Sequence, residues 1–486
     1  MTAALAPVAV TLALAGCDRR ADQGPVVVSV IGGAPIQGDS SEGPLDLPAR
    51  LLIDSTAQGL VRFDAAAQIE PGIAERWTVI DKGMSYIFRL RDAEWSDGRP
   101  VKAAEVVAVL RRQLGPRSRN PLLPFLSAID EVVEMTPEVI EVRLKRPRPD
   151  LLKLFAQPEL AVFRTRPPGG SGPFRIADAP GPGILLRPAT DPARSPDDDT
   201  PLPGPEANVR LIGERAALAI TRFAARRSDL VTGGTFTDWP LLAASSVAPA
   251  NQKIDPAVGL FGLAIASRDG FLADPANRAA VARTVDRQTI VSAFTPYWAA
   301  TAQILPEQLD SAAAPATAAW AVPPAPTPAD IAPVDRVRAW RLAHPGPLLF
   351  RIAVPRGPGA TILYGYVAGG LRAIGIDAVR VDQDAAAELR LVDAVAPYDS
   401  ARWYLATACQ PCGGEAQAAL DAARDAPDMA SRAQHIAEAD AALAADISFI
   451  PIARPLRWSL VSLRLEQWQG NSRAWHPLNH LRTDTK

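Results

Sequence analysis

A strand–helix–strand pattern between residues 348 and 381 constrains the fold of this chain more than any other feature. Leu348–Val354 and Asp377–Val381 are strand-like runs of aliphatic residues, and a helical pattern from Ala360 to Ile374 separates them. Two strands joined through a helix run parallel in one sheet, because a parallel pair needs a long crossover connection. The pattern therefore predicts a βαβ unit and an α/β architecture.

Mixed helix and strand patterns continue through the rest of the chain, without an internal repeat. We predict strands at Met84–Arg91, Val139–Leu144 and Phe449–Ile452, and helices at Leu51–Leu60, Lys102–Leu114, Ala216–Ala225, Asn277–Phe294, Ala401–Ala408 and Met429–Asp446. A tract rich in alanine and proline, Ala312–Pro333, predicts an exposed loop or linker.

The composition is that of a globular protein with a large core. The chain has 486 residues, of which 48% are hydrophobic and 21% charged, and this balance excludes disorder over most of the length. At about 150 residues per domain, the length predicts roughly three domain-sized units. The formal net charge of −2 provides no global basic field, so we expect no nucleic-acid partner.

Few features of the sequence point to catalysis. The chain has four histidines, and it lacks a G-x-S-x-G motif, an H-E-x-x-H motif and a G-x-G-x-x-G motif after a strand. Its many carboxylates form no pair that stands out from ordinary surface charge. We therefore expect a protein that is not an enzyme and that binds no cofactor.

The first seventeen residues resemble a bacterial lipoprotein signal. Residues 1–16 carry no charge, and their apolar run of about 12 residues is too short to cross a membrane as a helix. The run ends in Leu14-Ala15-Gly16-Cys17, similar to a lipobox, which implies cleavage before Cys17 and lipid on its thiol. The following Asp18 is typical of lipoproteins kept at the inner membrane. No Lys or Arg precedes the run, so either the signal is atypical or the true start of the protein lies further upstream. The alternative is a buried N-terminal helix that ends in a chance cysteine.

Export changes the interpretation of the two other cysteines, Cys409 and Cys412. In an oxidising compartment, such a closely spaced pair favours a structural disulfide. A redox dithiol is an alternative, although a predicted helix and not a strand precedes the pair. A metal site completed by His476 and His480 is another, and free thiols are the last.

Several motifs, in this order, resemble the family 5 extracellular solute-binding proteins of ABC importers. The matching segments are Gly59–Asp64 (GLVRFD), Glu70–Trp77 (EPGIAERW), Tyr86–Arg91 (YIFRLR), Trp95–Val101 (WSDGRPV), Ala104–Val107 (AEVV), Gly170–Arg175 (GSGPFR), Leu371–Ile376 (LRAIGI) and Ile450–Ile452 (IPI). Asp274, Arg278, Asp286, Arg287 and Ile290 resemble a family helix, in which Ala276 departs from the usual arginine.

The resemblance implies a two-lobed periplasmic-binding-protein fold of type II, with an extra N-terminal subdomain and a ligand cleft between the lobes. The implied divisions are a signal peptide at 1–16, a tether and the start of the first lobe at 17–48, the extra subdomain at 49–165, the first-lobe core at 166–262, the second lobe at 263–447 and a return to the first lobe at 448–486.

The resemblance also suggests residues that bind a ligand. Peptide-binding members use an aspartate near the segment that corresponds to 396–400, so Asp399 is the candidate for a ligand ammonium, with Asp393 as a competitor. A carboxylate suits this task because a charge-assisted hydrogen bond is strong in a closed cleft. The alternative is that Asp399 caps the helix that follows. No tryptophan stands at Leu391 or Val392, where family members often have one, and this departure weakens the case for free peptides.

At the other end of a ligand, Arg356 is the candidate for a carboxylate, because the resemblance places an arginine after the strand that opens the βαβ unit. A guanidinium group matches a carboxylate with two hydrogen bonds. Tyr398 and Trp403 are candidates for lining the cleft. Aromatic residues beside a helix are, however, more often part of a core.

The resemblance implies a substrate-binding lipoprotein that captures peptides or peptide-like solutes in the periplasm and delivers them to the permease and ATPase subunits of an ABC importer. A nickel chelate or an opine is the alternative ligand. A periplasmic thiol–disulfide protein built on Cys409 and Cys412 is the alternative of a different class. We expect a monomer that is anchored to the inner membrane by lipid alone.

Overall fold

The computed structural model describes residues 24–190, 203–321 and 331–482. Cys17, the rest of the proposed signal segment and part of the Ala/Pro tract lie outside these ranges. None of the helices in the described ranges has the length and apolar character that a membrane span requires.

Twenty strands are present in the described residues. They are β1 (Val26–Ile31), β2 (Val61–Phe63), β3 (Ile69–Pro71), β4 (Ala74–Ile80), β5 (Ser85–Leu90), β6 (Ile129–Thr136), β7 (Val139–Leu144), β8 (Arg164–Thr165), β9 (Pro168–Gly169), β10 (Phe174–Ala177), β11 (Ile184–Pro188), β12 (Val209–Glu214), β13 (Leu230–Thr235), β14 (Gln252–Ile254), β15 (Gly259–Ile265), β16 (Leu349–Ala353), β17 (Asp377–Val381), β18 (Leu389–Val395), β19 (Phe449–Ala453) and β20 (Arg457–Val461).

Thirteen α-helices connect or cover these strands in the same ranges. They are α1 (Leu47–Thr56), α2 (Ala103–Leu114), α3 (Leu123–Leu126), α4 (Leu151–Phe155), α5 (Ala216–Ala224), α6 (Trp239–Ala243), α7 (Pro275–Arg283), α8 (Arg287–Ser292), α9 (Pro333–Ala343), α10 (Pro358–Ala373), α11 (Ala401–Ala408), α12 (Gly414–Asp425) and α13 (Met429–Asp446).

The first lobe is built on a seven-stranded sheet in the order β10-β11-β12-β1-β13-β20-β14. β1 lies between β12 and β13 and runs parallel to both. Its valines Val26, Val28 and Val30 are buried, and on the opposite face Ser29 donates a hydrogen bond of 2.6 Å to Glu214. Both faces of this central strand are therefore covered, as is usual for parallel strands.

The second lobe is built on a five-stranded sheet in the order β17-β16-β18-β15-β19. β16 runs parallel to β17, to which α10 connects it, and it is also parallel to β18. The predicted βαβ unit is therefore confirmed. All seven residues of β15 are buried, which suits a strand with a partner on each side.

The extra subdomain is a four-stranded antiparallel sheet in the order β4-β5-β7-β6, with α2 packed against it. The indole nitrogen of Trp95 donates a hydrogen bond of 2.8 Å to Glu105 of α2. This bond fixes the WSDG turn against the helix that follows it. The predicted strands here and helix α2 agree with the structure to within one residue at each end.

The chain passes between the two large sheets twice, at residues 255–258 and 454–456. The predicted lobe boundaries, 262/263 and 447/448, differ from these crossings. β15 begins at Gly259, and β19, which pairs with it, ends at Ala453. A strand belongs to the sheet that satisfies its backbone hydrogen bonds, so both strands lie wholly in the second lobe.

Two predicted helices differ from the structure because of helix caps. The helix predicted at Leu51–Leu60 begins earlier, since Asp46 accepts a hydrogen bond from the amide of Ala49 and Pro48 occupies the first turn. The single helix predicted at Asn277–Phe294 is instead two helices, α7 and α8. Asp274 caps the first and Asp286 caps the second.

The described part of the Ala/Pro tract is largely an exposed loop, as predicted, but it is anchored to the protein at two points. Trp320 is buried beneath the guanidinium group of Arg287, 4.7 Å from its ring centre. The amide of Ala316 donates a hydrogen bond of 2.7 Å to Asp440 of α13. Composition alone could not indicate that a tryptophan within the tract anchors it to the second lobe.

Candidate functional site

The two lobes meet at the carboxyl ends of parallel strands. The loop after β16 reaches the loop after β13, where the amide of Gly359 donates a hydrogen bond of 2.9 Å to the carbonyl of Thr237. A side chain at Gly359 would collide with the carbonyl of Phe236, so only glycine allows this approach. In open α/β sheets, ligands bind outside these strand ends.

The segment after β18 forms a second contact between the lobes. Its carbonyl groups at Ala396 and Pro397 accept hydrogen bonds of 2.8 Å from Arg473 and 2.6 Å from Gln157. Gln157 follows α4 of the extra subdomain, and Arg473 belongs to the C-terminal segment. This stretch of the second lobe is therefore held from two directions by the first.

Asp399 is part of this contact. Its carboxylate pairs with both Lys153 of α4 and Arg473, and about 40% of the side chain is exposed. Burial alone would raise the pKa of Asp399, but the hydrogen bond from Lys153 and the charge of Arg473 outweigh it and lower the pKa. Asp399 is therefore ionised and paired, and a ligand ammonium would have to share or displace these cations.

Asp399 does not cap α11. That role belongs to Asp310, which accepts hydrogen bonds of 2.6 Å from the amide of Ala401 and 3.0 Å from the hydroxyl of Ser400. Arg432 of α13 in turn pairs with Asp310 at 2.8 Å. The cap comes from a residue about ninety positions earlier, so a local pattern could not reveal it.

The two aromatic candidates lie in the core of this interface. Tyr398 is fully buried with its ring 5.9 Å from that of Phe125, and burial raises its pKa to about 12. Trp403 is 5% exposed and packs edge-to-face against Tyr404. Neither side chain faces open solvent in this arrangement of the lobes.

Asp393 lies where the chain crosses between the sheets. Its carboxylate accepts a hydrogen bond of 2.7 Å from Arg457, the first residue of β20. Burial raises the pKa of Asp393, and the charge of Arg457 offsets only part of this effect. The pair joins β18 of the second lobe to a strand of the first.

Arg356 lies apart from the other candidates. Its side chain is 86% exposed and pairs with Asp382, which follows β17 and is itself exposed. The loop that carries Arg356 does approach the first lobe, through the contact of Gly359 with Thr237. The structure therefore places Arg356 at the rim of the interface.

Four charged residues at this interface could not be recognised from the sequence: Lys153, Asp310, Arg457 and Arg473. Each lies far along the chain from its partner. Lysine is rare here, with six in 486 residues, and that rarity is the one signal that could have singled out Lys153.

The two cysteines and the two C-terminal histidines lie in different surroundings. Cys409 and Cys412 are joined as a disulfide between α11 and α12, with Cα atoms 4.8 Å apart. His476 contacts Asp255 at 3.2 Å, whereas His480 contacts Glu70 at 2.8 Å. The Cys/His metal site that the spacing allowed is therefore not assembled. Cys409 ends a helix, unlike a redox cysteine at a helix N-terminus.

A separate cavity of about 440 Å³ lies on the first-lobe side, beside the β8–β9 hairpin. Trp95, Ser96 and Arg175 are among its lining residues. None of the proposed ligand residues borders it. We therefore take the contact between the lobes, and not this cavity, as the candidate site.

Comparison with known proteins identifies the family. The model of bacterial extracellular solute-binding proteins, family 5 (Middle), matches residues 68–379, more than half of the chain. The chain belongs to family 5 of these proteins. Its fold agrees with a crystal structure of Haemophilus influenzae OppA in complex with the peptide RPPGFSPFR, with a TM-score of 0.77 and 17% identity over 95% of this chain and 99% of that one.

Curated relatives match over shorter segments. The probable deoxycholate-binding periplasmic protein YgiS of Escherichia coli is 38% identical over 80 residues, 16% of this chain and 15% of YgiS. The periplasmic oligopeptide-binding protein OppA of Escherichia coli is 32% identical over 119 residues, 21% of this chain and 22% of OppA. These alignments therefore span less than a quarter of either relative.

We predict that the disulfide between Cys409 and Cys412 is also formed in the exported protein. Peptide mapping under non-reducing conditions should recover Cys409 and Cys412 in one linked peptide. Replacing both with serine should lower the melting temperature without changing ligand affinity, because the bond restricts the unfolded chain and lies outside the candidate site. Rapid reduction of insulin by the wild type would instead support the redox alternative.

Asp150, which precedes α4, should make the folding stability of the protein depend on pH. Burial, together with the nearby charge of Asp310, raises the pKa of Asp150 to about 6. The folded state therefore holds this proton more tightly than the unfolded chain, and stability falls as the pH rises from about 4 to 6. Asp150→Asn should gain up to about 3 kcal/mol over the wild type between pH 4 and pH 7.5.

Urea unfolding of both proteins at several pH values measures this difference. Asp335→Asn, at an exposed site on α9, is the matched control and should follow the wild-type profile. Parallel profiles for Asp150→Asn and the wild type would contradict the assignment.

Proposed function

We propose that this chain is the substrate-binding lipoprotein of an ABC importer, capturing peptides or peptide-like solutes in the periplasm. Closure of the two lobes over the solute would present it to the membrane permease and its ATPase subunits. The protein acts as a monomer in this proposal, with the Cys17 lipid holding it to the inner membrane.

One observation carries the proposal beyond family membership. The loops after β13 and β16 stand at the carboxyl ends of parallel strands in different lobes, and they meet through Thr237 and Gly359. A solute bound there would gain contacts from both lobes at once. Such a ligand stabilises the closed state because it binds that state better than the open one.

The proposed ligand contacts are Asp399, Arg356, Tyr398, Trp403 and Asp393. Asp399 is the strongest among them, because its carboxylate is half-exposed and held at the interface by charges from the first lobe. Asp393 forms an ion pair with Arg457. We propose that this pair positions β18 and β20 relative to each other as well as the ligand site. Tyr398 and Trp403 would contact a ligand from the walls of the closed interface.

A solute that carries an additional carboxylate, such as an opine, is a second candidate. It is favoured by the two cations that meet at Asp399, since Lys153 and Arg473 together exceed the charge of one carboxylate. A ligand carboxylate could take part of that excess positive charge through charge-assisted hydrogen bonds.

A ligand screen by thermal shift tests the proposal. Free ligand at 100 times its dissociation constant should add about 2.7 kcal/mol of stability, seen as a higher melting temperature. We would test di- to pentapeptides, nickel–histidine and opines. Asp399→Asn should then weaken peptide binding about 5- to 150-fold, because a ligand ammonium would lose its carboxylate partner.

Arg356→Gln tests the carboxyl end of the ligand, and Arg338→Gln, at an exposed site on α9, is its matched control. If opines raise the melting temperature and peptides do not, the ligand is an opine and not a peptide, and the proposed binding function stands. Unchanged peptide affinity in Asp399→Asn, with lower stability, would leave Asp399 as a contact between lobes alone. No shift with any of these solutes would contradict the ligand classes proposed.

The lipid anchor is tested separately. Mass spectrometry of membrane-extracted protein should find Cys17 acylated and residues 1–16 absent. Cys17→Ser should release the protein or leave its precursor unprocessed, without altering ligand affinity, because Cys17 is outside the proposed ligand contacts. An intact Met1 in the membrane fraction would contradict the proposed processing.

A further inference from the structure

The two lobes touch through a cluster of five aromatic rings. Phe236 and Trp239 belong to the first lobe, whereas Phe261, Phe294 and Trp298 belong to the second. Each of these side chains is at most 8% exposed. The rings of Phe236 and Phe261 pack edge-to-face across the lobes, with their centres 4.8 Å apart. We call this group the aromatic cluster.

Each indole nitrogen in the aromatic cluster has an acceptor. Trp239 donates a hydrogen bond of 2.8 Å to the carbonyl of Phe294 in the other lobe. Trp298 donates one of 2.7 Å to the carbonyl of Arg454, which lies in the second segment that crosses between the sheets. The cluster is therefore anchored beside the crossing. Separating its rings would expose apolar surface to water, which is unfavourable.

A different contact joins the extra subdomain to the second lobe at the start of α11. Tyr398 and the guanidinium group of Arg402 lie against the ring of Phe125, each 5.9 Å from its centre. Arg148 donates a hydrogen bond of 2.9 Å to the carbonyl of Phe125. We call these four residues the subdomain contact.

Unlike the aromatic cluster, the subdomain contact encloses polar atoms that lack partners. Among the described residues, no acceptor reaches Nε and Nη1 of Arg402, Nε of Arg148 or the hydroxyl of Tyr398. Burial lowers the pKa of Arg402 to about 10, so this group stays charged at neutral pH. Asp150, whose pKa burial raises to about 6, is mostly ionised there but accepts no hydrogen bond from these atoms. Each enclosed group without a partner disfavours the closed contact, because it has lost its hydrogen bonds to water.

The rim of the subdomain contact is held by ion pairs that water reaches. Lys153 pairs with Asp399, and Arg146 pairs with Asp425 at 3.4 Å. The two carboxylate side chains are 40% and 56% exposed. Exposed ion pairs add little stability, and salt screens them. The subdomain contact is therefore the weaker of the two contacts.

We propose that the lobes separate at the subdomain contact and stay packed at the aromatic cluster, which is the pivot of the opening. The proposal rests on the proposed function, in which the lobes open and close around a solute. It assigns the side of the extra subdomain as the entrance for that solute, since the pivot keeps the other side closed. Opening there returns the enclosed donors to water and leaves the buried rings undisturbed.

Distances between pairs of spin labels test the proposal. The full chain carries Cys17→Ser, so that with Cys409 and Cys412 joined as a disulfide no native thiol reacts with the label. One pair, at Asp130 of β6 and Ala430 of α13, reports on the subdomain contact. The other pair, at Ala244 and Tyr297, reports on the aromatic cluster. All four positions are exposed.

The distances are measured without any solute, at low salt and at about 1 M sodium chloride, where screening acts within about 3 Å. The pair across the subdomain contact should show a second, longer distance. Its population should rise with salt, because the ion pairs at the rim weaken. The pair at the aromatic cluster should keep one distance under both conditions.

Two substitutions should close the subdomain contact. Arg402→Met and Tyr398→Phe remove unpartnered polar atoms and keep most of the apolar bulk. In each, the ratio of open to closed molecules should fall about fivefold or more, because the closed state no longer encloses that group. Arg338→Met, at an exposed site on α9, is the matched control and should keep the wild-type ratio.

A distance at the aromatic cluster that lengthens together with the one at the subdomain contact would overturn the pivot. A single distance across the subdomain contact at both salt concentrations would overturn the opening, as would an unchanged or higher open fraction in both Arg402→Met and Tyr398→Phe. Because no solute is present, the ligand screen can fail while these distances behave as expected, and the reverse is equally possible.

Discussion

The structure depends on the two adjacent segments, 255–258 and 454–456, in which the chain passes between its large sheets. At the second passage, Arg454 donates hydrogen bonds to the carbonyls of Gly259, Ile304 and Leu305, at distances between 2.8 and 3.2 Å. One partly buried guanidinium group thus ties the start of β15 to the end of β19. Close to it, Arg457 pairs with Asp393 across the two sheets.

Charged and polar groups, and not apolar surface alone, hold the facing parts together. Asp399, Lys153 and Arg473 form such a group between the lobes, whereas Asp310 and Arg432 pair within the second lobe at the start of α11. Half-exposed ion pairs contribute little net stability, because water solvates the separated charges almost as well. An interface of this kind can open and reclose at a small cost, as a protein that binds and releases a solute requires.

Much of the fold could be predicted from the sequence because its signals are local. The βαβ unit, α2, α13 and the strands of the subdomain follow from periodicity and from turns such as WSDG. The site could be predicted only in part. The segment from Tyr398 to Trp403 lies at the contact between the lobes, but its partners come from distant positions. Lys153 is 246 residues from Asp399, and no local rule connects them.

The same distance explains why the role of Asp399 could not be decided from its neighbours. An aspartate beside a predicted helix start is usually a cap, and here the helix is capped by Asp310 instead. Because Asp310 caps α11, the Asp399 carboxylate can pair with cationic side chains of the other lobe. Since its partners come from the first lobe, a neutral side chain at this position would weaken the contact between lobes even with no ligand present. The proposed ligand role of Asp399 would therefore couple ligand binding to lobe packing through one carboxylate, and measuring both affinity and stability separates the two roles.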